Sequence, residues 1–283
     1  MATPDTIDLT FALGLAAVSL VVALAYSGRV SRIGAARESR VDRAGGSVLL
    51  GKGVMEMGYW AMRPIARLCV ASGIGADAVS WTSLALAAGA GAALAAGRFG
   101  VGAALSLASS ACDAIDGMVA RDTGTASDSG EVLDAAVDRY AELFFLGGVV
   151  FHERGDAAAV VLGLAATAGA IMVSYSTAKA EALDVVLPRG AMRRQERAVY
   201  LVLGVALVPV AAAVSARTGL FPWLSRVPLL GVLALVAGAG NVSAVRRLRA
   251  VAQAVRRPAN ARKAEVVQTL ARDPHAAAGD AVR

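Results

Sequence analysis

The sequence is poor in the residues that disulfides and soft metals require. It holds two cysteines and two histidines among 283 residues. Cys69 and Cys112 are far apart in apolar surroundings, so no disulfide framework is implied and both read as small buried hydrophobes. His152 and His275 stand apart from them, so no zinc-type cluster is offered. Polar residues are scarce too: 18% of the chain is charged, 57% is hydrophobic, and mean hydropathy is +0.59. That balance excludes an ordinary soluble domain, which averages roughly 45–50% apolar residues. No Lys or Arg precedes the first apolar run, which argues against a cleaved signal peptide. No internal repeat is visible.

What is present is Ala, Val, Leu and 30 glycines, a mixture that lets membrane helices approach closely. A span needs about 20 mostly apolar residues. Leu9 to Tyr26 is the first such run, read as an uncleaved span with its N-terminus outside. A basic linker with Gly45-Gly46 fills the stretch to residue 47. Residues 48–73 carry Lys52, Glu56, Arg63 and Arg67, too many charges to span, and read as an amphipathic interfacial helix with Tyr59 and Trp60 at headgroup depth. Six further spans are expected at 78–96, 99–120, 131–151, 157–181, 198–215 and 227–245. The tail from Arg246 onward is basic and Ala-rich, and its last dozen residues read as disordered. The fold class is therefore all-α: a polytopic membrane helix bundle divided as residues 1–47, 48–249 and 250–283.

The net charge is +6 and the pI about 9.8. With the linker placed inside, the outer segments hold only Arg98, Arg154, Arg217 and Arg226. Arg139 and Lys179 fall within spans, and every other basic residue lies on the inner side. This positive-inside bias accounts for the charge through topology and lipid contact, without nucleic acid. It puts the chain in the cell (cytoplasmic) membrane as a multi-pass protein.

Charges inside spans mark functional sites by default. Asp113 and Asp116 stand near the end of one span, three residues apart; Asp134 and Asp138 stand near the start of the next, four apart. Both spacings put the pair on one helix face. The turn Asp122 to Ser129 makes the helices antiparallel neighbours, so four carboxylates converge just below the cytoplasmic surface. Such a set repels itself unless cations sit within it, and oxygen-only ligands select hard cations such as Mg²⁺ or Mn²⁺. Two such ions about 4 Å apart suit phosphoryl transfer. Gly117, Ala120 and Gly130 leave room beside them for a bulky ligand.

Asp113-x2-Asp116-Gly117-x2-Ala120-Arg121-x8-Gly130-x3-Asp134-x3-Asp138 resembles the signature of the CDP-alcohol phosphotransferase family. The hydrophobic pattern from 48 to 249 is also similar to that family's interfacial helix and six spans, with the first span an addition. The resemblance implies that Asp113, Asp116 and Asp134 hold the two metal ions. Asp138 would be a ligand of the second ion and the general base. Gly117, Ala120, Arg121, Ser127 and Gly130 would border the CDP part of a donor such as CDP-diacylglycerol. Ala76-Asp77-Ala78-Val79-Ser80 falls where relatives read Pro-Asn-x-x-Thr and touch the nucleotide; here Ala, Asp and Ser replace Pro, Asn and Thr. The family also implies a homodimer.

Ser174-Tyr175-x-x-Ala178-Lys179-Ala180-Glu181, followed by Arg194-x-Glu196-Arg197, is similar to the prokaryotic phosphatidylinositol-phosphate synthases, which usually carry Arg where Lys179 stands. That resemblance implies that Arg139, Lys179, Arg194 and Arg197 hold the phosphate of a small phosphorylated acceptor such as inositol phosphate. Glycerol-3-phosphate as acceptor, giving phosphatidylglycerophosphate, is the alternative within the class. A divalent-cation transporter and an inert helix-packing protein are the alternatives outside it.

Overall fold

The computed structural model describes residues 6–36, 41, 51–187, 192–219 and 222–256. These form eight α-helices and a 3-10 turn, with no strand among the described residues. In chain order they are α1 (Thr6–Ile33), α2 (Lys52–Ala71), α3 (Ala76–Ala95), α4 (Phe99–Thr123), α5 (Asp128–His152), α6 (Ala157–Glu181), α7 (Arg194–Thr218), the 3-10 turn Pro222–Arg226, and α8 (Val227–Arg256). Residues 37–40 and 42–47 of the expected linker, part of the loop before Arg193 and the tail from 257 lie outside the described residues.

Six segments among the described residues are long and apolar enough to cross a membrane: α1, α3, α4, α6, α7 and the segment Trp223–Arg256 containing α8. The chain is a multi-pass membrane protein. The expected span at 131–151 forms as α5, 25 residues long like α4, but its composition is too charged to count with the others. Asp134, Asp138, Arg139 and Glu142 are the reason, and they are tolerated because α5 packs along α3 inside the bundle.

Within a bilayer helices gain nothing from hiding apolar surface from lipid, so small residues and polar contacts decide the crossings. At the α3–α5 crossing, a Cβ on Gly91 would stand 2.5 Å from the carbonyl oxygen of Phe144. The α6–α8 crossing brings Gly169 against Asn241, whose Nδ2 donates to the carbonyl of Ala165 at 2.8 Å. Leu94, Leu146, Val205 and Val236, all fully buried, fill the centre between α3, α5, α7 and α8.

The extra N-terminal helix is longer than the apolar run predicts, Thr6–Ile33 rather than Leu9 to Tyr26. It is anchored at both ends. Asp8 Oδ1 accepts the backbone N–H of Val101 at 3.0 Å, in the first turn of α4. Tyr26 donates to Glu56 Oε2 of α2 at 3.2 Å and packs on Trp60. Leu13, Val18, Val21 and Leu24 between these anchors are exposed, as a lipid-facing surface requires. A second correction concerns the far end. Arg246 does not begin a tail, because α8 runs on to Arg256 and buries Ala244 and Val251. No glycine or proline interrupts that stretch, and its arginines are good helix formers.

Candidate active site

α4 and α5 are joined by a short turn whose chemistry is local. Gly124 closes α4 at φ +67, a conformation that favours glycine. Ser127 then caps α5 by accepting the N–H of Gly130 at 3.2 Å, and Asp128 and Glu131 favour the positive end of the helix. The last turns of α4 and the first turns of α5 consequently lie side by side.

This turn brings three of the four expected carboxylates together. Asp113, Asp116 and Asp134 each offer an oxygen within 4.8 Å of the others. Asp116 is buried, while Asp113 and Asp134 are half-buried. An all-carboxylate donor set of this span fits a hard divalent cation. Asp138 stands one turn further along α5, also buried, and lies outside that three-carboxylate group. Arg194, in the first turn of α7, pairs with Asp138 and reaches Asp113 Oδ1 at 3.0 Å.

The residues expected on the nucleotide side are distributed more loosely. Arg121 and Ser127 are exposed at the mouth of the α4–α5 turn, with Gly117, Ala120 and Gly130 half-buried behind them. Asp77 is exposed and Ala76 half-buried in the first turn of α3, and Val79 is buried against the α4 cluster of Ile115, Met118 and Val119. Ser80 does not face the mouth with Asp77. Its Oγ donates to Asp116 Oδ2 at 2.6 Å.

The four expected phosphate-binding cations part company. Lys179 is exposed at the end of α6. Arg139 is half-buried, and its Nη1 lies buried without a hydrogen-bond acceptor among the described residues. Arg194 sits among the aspartates. Arg197 is fully buried and grips Glu142 of α5 with two hydrogen bonds, 2.8 and 3.1 Å, so its guanidinium is occupied by the protein itself. Arg247, assigned to the tail by composition, was missed. It lies on α8 and donates to Thr177 Oγ1 at 3.1 Å, two residues before Lys179. Continuing the α8 helical pattern past Arg246 is the signal that finds it.

A second charged cluster lies at the opposite end of α5. There Arg226 bridges Glu153 and Asp156 beside a cleft of about 690 Å³. Asp156 caps α6 through the N–H groups of Ala158 and Ala159. The Ala159 N–H and the Arg226 guanidinium hold the Asp156 carboxyl below its usual range. This cluster ties helix ends together, a bundle's length from the carboxylate site.

The family model described as CDP-alcohol phosphatidyltransferase matches residues 73–239. The chain is 36% identical over 180 residues to the bifunctional IPC transferase and DIPP synthase of Rubrobacter xylanophilus, covering 62% of this chain and 36% of that protein. It therefore spans about a third of that relative's length. It is 32% identical over 145 residues to the phosphatidylinositol phosphate synthase of Cutibacterium acnes, covering 50% of this chain and 68% of that one. Among solved structures it resembles the phosphatidylinositol phosphate synthase of Mycobacterium tuberculosis in complex with manganese and citrate, with a TM-score of 0.58 and 25% identity over 67% of this chain and 88% of the other. The same enzyme with CDP-DAG bound gives a TM-score of 0.56 and 26% identity over 67% and 92%.

Proposed function

The chain belongs to the CDP-alcohol phosphatidyltransferase family, and from that premise we propose that it moves a phosphatidyl group from CDP-diacylglycerol, or a similar CDP-linked donor, to a phosphorylated alcohol. The observation that carries this reading is the convergence of Asp113, Asp116 and Asp134 within 4.8 Å. These residues, with Asp138, would hold two Mg²⁺ or Mn²⁺ ions. Ions held there would supply positive charge to neutralise the donor diphosphate and ease departure of CMP.

The chain's own residues supply the rest. Asp138 Oδ accepts the proton of the acceptor hydroxyl, whose oxygen attacks the β-phosphorus of the donor; the bond from that phosphorus to the CMP oxygen breaks. Asp138 suits this because it is buried and adjoins the acidic cluster through Arg194. Arg121, exposed at the mouth, adds charge for the diphosphate. Arg139, Lys179 and Arg194 favour an acceptor that carries a phosphate, and inositol phosphate is the acceptor we favour. Arg247, across from Thr177, joins this set, and Arg197 leaves it.

The positive-inside bias supports a site facing the cytoplasm in the cell membrane, where a soluble acceptor is available while donor tails stay in the bilayer. A homodimer belongs to the same reading. The test is product lipid from purified protein given CDP-diacylglycerol, Mn²⁺ and a panel of acceptors, read by mass spectrometry. The phosphatidylinositol phosphate product is expected. Glycerol-3-phosphate outcompeting inositol phosphate would overturn the acceptor assignment, and no CMP release with any acceptor would overturn the reaction.

A further inference from the structure

Asp116 is the deepest of the three clustered carboxylates, and its other side is occupied by a residue of a different helix. Ser80 Oγ lies 2.6 Å from Asp116 Oδ2, and the two residues are only 5% and 6% exposed. The serine hydroxyl has one proton and two acceptors within reach. The Ala76 carbonyl, at 3.2 Å, is farther and neutral, so the proton goes to the carboxylate. A second contact between the same helices stands deeper in the bundle. Ser83 Oγ donates to the carbonyl of Ser109 at 2.9 Å. The two contacts set the register of α3 against α4, and only the Ser80 contact ends on a carboxylate.

We propose that Ser80 is a positioning residue for the metal site, acting through Asp116 rather than on the nucleotide. The inference rests on the reading that Asp113, Asp116 and Asp134 hold the ions. With Oδ2 held, the Asp116 carboxyl cannot spin about its Cβ–Cγ bond, and it meets an arriving cation at a fixed angle. Outer partners of this kind orient metal ligands, and their loss typically costs about 10–100-fold in metal affinity.

The experiment titrates Mn²⁺ into the purified full-length protein and reads bound ion by electron paramagnetic resonance. Wild type, Ser80→Ala, Ser80→Thr, Ser80→Val, Ser83→Ala and Asp116→Asn are compared. Thr and Val have the same shape and differ by the hydroxyl, so that pair remains informative if the alanine variant folds poorly. Expected are roughly 10–100-fold weaker Mn²⁺ binding in the Ala and Val variants, near wild-type binding in Thr, and no change in Ser83→Ala. In turnover assays the Mn²⁺ needed for half-maximal CMP release should rise while kcat recovers at saturating Mn²⁺ and the donor KM holds. Wild-type Mn²⁺ binding in Ser80→Val, or a raised donor KM in its place, would overturn the role of Ser80 alone. Equal losses in Ser83→Ala would do the same, by making the contact merely one of helix register. Absence of Mn²⁺ binding by wild type would instead bring down the metal reading on which the inference stands.

Discussion

Arg197 of α7 and Glu142 of α5 form a two-point ion pair in the interior, with the arginine wholly buried and the glutamate side chain 12% exposed. A third hydrogen bond runs from Arg197 Nη1 to the carbonyl of Met192 at 2.8 Å. Met192 adopts φ +61, a conformation uncommon for a side chain of its size. Arg197 thereby fixes both the tilt of α7 against α5 and the turn from which α7 starts. Glu196 accepts the N–H of Arg193 at 3.2 Å and completes that start. From this corner Arg194 reaches the aspartates.

Replacing Arg197 with Leu should therefore act on stability. Removing one partner of a buried ion pair leaves the other charge uncompensated, at a cost of about 3–5 kcal/mol. A large drop in thermal midpoint is expected, with Arg197→Lys intermediate because an ammonium cannot reproduce the two-point grip. Joint replacement of Glu142 and Arg197 by Leu should recover part of the loss. Thermal melts in detergent together with the acceptor KM decide the matter. A raised KM at unchanged stability would return Arg197 to the acceptor pocket.

Asp138→Asn should leave a folded, membrane-inserted protein that turns over roughly 10²–10⁴-fold more slowly, the contribution usual for a general base. The asparagine keeps the volume beside Arg194 and removes the proton acceptor. Single-turnover CMP release from protein checked for wild-type circular dichroism and elution volume is the measurement. Wild-type turnover would remove Asp138 from the proton transfer.

The acidic site was legible because helix periodicity is short-range. Spacings of three and four within α4 and α5, and one short turn between them, are enough to place Asp113, Asp116 and Asp134 together. The partners of those helices were not legible. Glu142 and Arg197 are 55 residues apart, and an arginine near the start of a spanning helix reads equally well as topology. Ser80 was read by resemblance as a nucleotide contact, and its hydrogen bond to Asp116 depends on the α3–α4 register, which no periodicity encodes. Composition likewise cannot separate a basic tail from a basic helix, which is why Arg247 was missed.

Gly91→Leu should disrupt the α3–α5 crossing. Even a Cβ at this position would stand 2.5 Å from a backbone oxygen of Phe144, which no rotamer change relieves. Overpacking of this kind costs about 1–3 kcal/mol, and a longer side chain should cost more than Ala. Because α5 carries Asp134 and Asp138, turnover should fall along with the melting point. Gly147→Ala, where a Cβ meets nothing within 4 Å, is the control expected to keep both.

The last prediction concerns α1, which the family resemblance does not cover. Tyr26 donates to Glu56, a glutamate only 8% exposed. Tyr26→Phe keeps the ring against Trp60 but removes the hydroxyl, leaving a buried carboxyl without that donor. Losses of this sort run to about 1–3 kcal/mol. The contact joins α1 to α2 and involves none of Asp113, Asp116 and Asp134. The variant should therefore melt earlier while kcat per folded molecule and the donor KM stay at wild-type values. A change in kcat with an unchanged melting point would show instead that α1 communicates with the site, and would make the added helix more than an anchor for α2.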